Sequence, residues 1–62
     1  MTFYETIDML LCSIELEAER IRTAAREKSL DGIREPLGVI RTTCTEIGHE
    51  VAEKEVELWK VS

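Results

Sequence analysis

Glycine, proline, cysteine and aromatic residues are all scarce in this chain: three glycines, one proline, two cysteines, and one each of Trp, Tyr and Phe. Few glycines and one proline leave few places for the backbone to turn sharply. Two cysteines cannot build a disulfide framework, and the chain does not open on a basic segment leading into an apolar core of signal-peptide length. Cys12 and Cys44 are therefore expected to stay reduced, in a cytoplasmic protein. No apolar run approaches the roughly 20 residues of a membrane span. The single histidine, His49, has no Ser, Cys or Asp in an arrangement that would make a nucleophile or base, so no enzyme activity and no cofactor are expected.

Positive charge is also in short supply. Eight Lys and Arg face 13 Asp and Glu, for a net charge of −5. Phosphate contacts need Lys and Arg, so nucleic acid is a disfavoured partner. The charge is unevenly spread. Residues 20–41 hold six basic residues (Arg20, Arg22, Arg26, Lys28, Arg34, Arg41) against Glu27, Asp31 and Glu35, a net of +3, and the remainder carries −8.

Helical periodicity is present in abundance. Phe3, Ile7, Leu10, Leu11, Ile14, Ala18, Ile21 and Ala25 recur at the three- and four-residue spacing of one helix face. Thr2 followed by Glu5 fits a capping box, with Glu5 and Asp8 at the positive end of the helix dipole. The spacing predicts a first helix over residues 2–30. Asp31-Gly32 and Glu35-Pro36 then predict a turn over 31–35, because glycine closes helices and the residue before proline is pushed out of helix.

A second stripe, Leu37, Ile40, Cys44, Ile47, Val51, Leu58 and Val61, predicts a second helix over 36–60. Its first half is rich in weak helix formers: Gly38, Val39, Thr42, Thr43, Thr45 and Gly48. A strand there would have no partner, so packing is expected to hold it helical. The fold read from this pattern is all-α: a single domain, residues 1–62, forming an antiparallel two-helix hairpin. The expected seam is Ile7, Leu10, Ile14 and Ile21 against Ile40, Ile47, Val51 and Leu58.

A core of this size rarely supplies more than about 3–5 kcal/mol. With disulfides set aside, a homodimer forming a four-helix bundle is the expected remedy. Charge favours the turn of one hairpin beside the termini of the other, since turn-to-turn packing brings the basic segments together. In size and topology alone this is similar to the small plasmid regulators of the Rop type.

Four features could carry function. Met9, Cys12 and Leu16 form a second apolar patch on helix 1. Glu46, Glu50, Glu53 and Glu57 make an acidic ladder on helix 2, suited to a basic patch on another protein. Glu46 and His49 share the Glu-x-x-His spacing of di-iron bundles but are expected to face solvent. Cys12 and Cys44 are expected to stand about 15 Å apart along the hairpin, with Cys44 in the core. The reading that results is a small non-enzymatic interaction protein that regulates, adapts or inhibits a larger protein. A carboxylate–His metal-binding bundle and a Rop-like RNA-binding regulator are the alternatives.

Overall fold

The computed structural model describes residues 2–61. Two helices, α1 (Phe3–Arg26) and α2 (Leu30–Val61), pack antiparallel through a three-residue link into a rod of 52 × 16 × 12 Å. α1 starts as its sequence dictates. The Thr2 hydroxyl accepts the Glu5 N–H at 3.2 Å, and the Thr2 carbonyl accepts the Thr6 N–H at 3.1 Å.

The turn comes earlier than Gly32 and Pro36 suggest: residues 27–29 link the helices instead of 31–35. Lys28 takes the left-handed backbone conformation, at φ 57°. The Ser29 N–H donates to the Ala24 carbonyl at 2.9 Å, closing α1. The Ser29 hydroxyl then accepts the Gly32 N–H at 3.1 Å, so Ser29 is the N-cap of α2. Asp31 lies in the first turn of α2, and Pro36 lies inside the helix, where it has no N–H to give the Gly32 carbonyl. α2 runs unbroken through residues 37–48. Thr42 and Thr45 fit there because their hydroxyls donate to the Gly38 and Arg41 carbonyls one turn back, each at 3.1 Å.

Two contacts fix how the helices are paired. The Lys54 ammonium lies 5.9 Å from the centroid of the Phe3 ring at the open end. Near the turn, Gly32 approaches Ala24 so closely that a Cβ on the glycine would stand 3.0 Å from the alanine's. Between them run two rows of side chains that are buried or half-buried. On α1 the row is Phe3, Ile7, Leu10, Ile14, Glu17, Ile21 and Ala24; on α2 it is Ile33, Pro36, Ile40, Thr43, Ile47, Glu50 and Lys54. Both alternate steps of four and three, the seam of a coiled coil. Counting from the two contacts, Ile21 is level with Pro36, Glu17 with Ile40, Ile14 with Thr43, Leu10 with Ile47, and Ile7 with Glu50.

The seam therefore differs from the expected one in its second half. Val51 and Leu58 are exposed, as is Cys44, and Glu50 and Lys54 occupy the seam instead. Moving the turn by about one helical turn rotates α2 and slides it along α1. Cys12 and Cys44 consequently lie nearly level, separated by face and not by length; both are free and exposed. Val61, expected on the seam, has a side chain outside those described.

The core is thin. Among the described residues Ala24 and Pro36 are the two apolar ones below a tenth exposed, and none of their side chains is fully buried. Glu17 and Thr43, both polar, are as enclosed as Ala24. The Glu17 carboxylate pairs through Oε1 with the Arg20 guanidinium at 3.3 Å, while Oε2 is buried with no hydrogen-bond partner.

Candidate interaction surface

An apolar row runs along each helix, directly after the seam. On α1, Tyr4, Leu11, Ala18 and Ala25 follow the seam residues Phe3, Leu10, Glu17 and Ala24. On α2, Leu37, Cys44 and Val51 follow Pro36, Thr43 and Glu50, and Leu30 and Leu58 extend the same seven-residue period. Every member of both rows is apolar. In an antiparallel pair, rows that follow the seam in the same sense emerge on the same side. The hairpin thus carries one continuous apolar side. Nearly level rungs cross it: Tyr4 by Val51, Leu11 by Cys44, Ala18 by Leu37, Ala25 by Leu30. Ala18 is half-buried and the rest are exposed.

The other side is mixed. There α1 presents Thr6, Ser13, Arg20 and Glu27, and α2 presents Gly32, Val39, Glu46 and Glu53. A shallow hollow near the turn is lined by Leu16, Arg20, Thr23 and Glu27 of α1 with Gly32 of α2, which places these rows on one side together.

The patch residues Met9 and Leu16 belong to this second side and are 58% and 59% exposed. Cys12 faces away on the back of α1 and is also exposed. Of the acidic ladder, Glu46 and Glu53 stand on the second side with Met9 and Leu16. Glu50 is half-buried in the seam, and Glu57 pairs with Lys54 at 3.7 Å. The apolar patch of α1 and half of the acidic ladder of α2 therefore lie on the same side of the hairpin.

Glu46 and His49 are both exposed, and among the described residues no three His, Cys, Asp or Glu side chains gather where they could hold a metal ion. The basic residues around the turn are exposed, and three are paired within their own helix: Arg20 with Glu17 at 3.3 Å, Arg22 with Glu19 at 2.6 Å and Arg34 with Asp31 at 3.7 Å. Tyr4 packs edge-on against Phe3 with ring centroids 5.1 Å apart. No helix among the described residues is long and apolar enough to cross a membrane.

The apolar side is the feature that sequence reasoning missed. Its signal is an apolar residue at every seventh position from Leu30 to Leu58, but Leu37, Cys44, Val51 and Leu58 fit the single stripe of α2 equally well. No family model matches the chain, and neither a curated protein nor a solved structure does.

Proposed function

We propose that the chain is a non-enzymatic protein–protein interaction module, a small regulator, adaptor or inhibitor, that works as a four-helix bundle of two hairpins. The observation that supports this most is the imbalance between what the hairpin buries and what it leaves open. Among the described residues Ala24 and Pro36 are the only well-enclosed apolar ones, while the apolar rungs other than Ala18 and the Met9–Leu16 patch stand exposed. Small domains with so little core depend on assembly. A contiguous exposed apolar patch marks an interaction surface.

The second side serves a larger partner. Met9 and Leu16 supply the apolar contact, and Glu46 and Glu53 beside them favour a partner with a basic rim. Cys12, Glu50 and Glu57 contribute little, being on the back, in the seam and paired to Lys54.

The test separates assembly from partner binding. Sedimentation equilibrium of the purified chain should give twice the monomer mass, and melting should rise with protein concentration. Affinity capture from the native cell, with wild type beside Met9→Glu/Leu16→Glu and Glu46→Lys/Glu53→Lys, should recover a basic protein that both double variants lose while still dimerising. Retention of that protein by both variants would rule out this surface.

A further inference from the structure

Resting on the reading of the second side as the partner surface, we infer that the partner meets it with a single amphipathic helix. That helix lies lengthwise between α1 and α2, as a third member of the bundle. It carries a large apolar residue over the turn end and basic residues over the open end.

The second side is a trough. Its floor on α1 is small, Thr6 and Ser13, both half-buried. The Thr6 hydroxyl donates to the Thr2 carbonyl at 3.1 Å and asks nothing of a partner. Met9 and Leu16 run along one lip, and Val39, Glu46 and Glu53 along the other. At the turn end Gly32 and Ala24 leave the hollow walled by Leu16 and Thr23. Period selects what fills the trough. Met9 and Leu16 are seven residues apart, and so are Val39, Glu46 and Glu53, a rise of about 10.5 Å each time. A docked helix returns a side chain to one face at that interval, whereas a strand returns one about every 6.6 Å and falls out of step.

Charge selects the residues on that helix. Glu46 and Glu53 are exposed, and among the described residues neither has an ion-pair partner. Arg20, the cation lining the hollow, is already held by Glu17 at 3.3 Å. Lys60, next on the row of Glu53, lies past the end of α1. The open half of the trough therefore calls for positive charge, and the hollow, beside exposed Leu16 and Val39, for an apolar side chain.

The register fixes the spacing. Counting from Phe3 beside Lys54, Glu46 is level with Leu11 and Glu53 with Tyr4, while the hollow, lined from Leu16 to Glu27, centres about level with Arg22. The partner helix therefore has Lys or Arg about 11 and about 18 residues from its apolar anchor, close to three and five whole turns, so all three share the face in the trough. The spacing is the same whichever way the helix runs.

A displayed library of single helices as long as α1, randomised on one face, is selected on the purified chain with Leu16→Glu as counter-target. The enriched helices should carry an apolar residue with Lys or Arg about 11 and about 18 positions away. Glu46→Lys/Glu53→Lys should weaken a selected helix by about 30-fold or more, and replacing its two basic residues by Glu should restore binding to that variant. Both glutamates are exposed, so the reversal leaves the hairpin folded. Leu11→Glu, on the opposite side, should change the affinity by less than about threefold. Enriched helices without the basic pair, an affinity unmoved by the charge reversal, or a loss at Leu11→Glu equal to that at Leu16→Glu overturns the inference. So does a selection that enriches no helix over the counter-target. If affinity capture still recovers a basic protein that both double variants lose, the second side keeps its role and the partner meets it without a helix; if the capture fails as well, both readings fall.

Discussion

Near the turn the two helices meet through small and rigid residues; from the middle to the open end large apolar seam residues are interrupted by charged and hydroxyl ones. Ala24 lies against Gly32 at a distance that excludes even a methyl group, and Ile21 is level with Pro36. Further along, Glu17, Thr43, Glu50 and Lys54 take seam positions that leucine or isoleucine would fill more favourably. The two regions have different tasks. Close packing near the turn holds the helices together. Polar seam residues add little stability: the Glu17 carboxylate reaches only Arg20, and its Oε2 is buried without a partner.

The largest effect should come from Ala24→Leu, which forces a branched side chain into the closest contact of the hairpin. Overpacking of this kind costs about 1–3 kcal/mol, and urea unfolding should show it. A change smaller than ~0.5 kcal/mol, the usual range for surface sites, would mean the helices separate freely at the turn. Glu17→Leu should move stability the other way by about 1–2 kcal/mol, since Glu17 Oε2 is buried without a partner and its ion pair has one exposed member. A loss of stability would erase the distinction between the two regions. Ser29→Ala should cost about 1 kcal/mol by removing the N-cap of α2, read as a lower midpoint with an unchanged slope. The smallest effect is a contrast of glycines. A Cβ at Gly38 meets nothing within 4 Å, so Gly38→Ala should gain about 0.5–1 kcal/mol. Gly32→Ala should gain nothing, because its Cβ would lie 2.9 Å from the Ser29 hydroxyl that caps α2 and 3.0 Å from the Ala24 methyl. Equal gains at both would show the turn to be loosely packed.

Much of this fold is legible in the sequence. The Thr2 cap, the stripe of α1 and the hairpin itself follow from period and local chemistry, and the helicity of residues 37–48 follows from period, against the propensities of Gly38, Val39 and the threonines. The position of the turn does not follow from glycine and proline. Asp31-Gly32 and Glu35-Pro36 permit a break but do not require one. Ser29 is what decides it, by offering α2 an N-cap three residues before an available N–H, with Lys28 accepting the left-handed conformation usually left to glycine. That shift decides the candidate surface. With the turn after Leu30, Cys44, Val51 and Leu58 read as core; with the turn at residues 27–29 they become the exposed apolar side, and Glu50 moves inward. Local signals state that helices exist, whereas a face depends on registry, and registry is set by a few long-range contacts such as Phe3 with Lys54.

The nearness of Ala24 to Gly32 also has a consequence in time. The segment joining them is short enough to close in about 10–100 ns, the range for a ten-residue loop, and the Ser29 N–H is then in place to bind the Ala24 carbonyl. Each later seam contact spans a longer stretch of chain, out to Phe3 with Lys54, and forms at little added cost once its inner neighbour is made. Loop closure thus favours a hairpin that closes from Ser29 outward, an order that φ-values along the seam would test. Substitutions at the turn therefore act on how fast it closes, and substitutions at Phe3 or Lys54 act on how fast it opens.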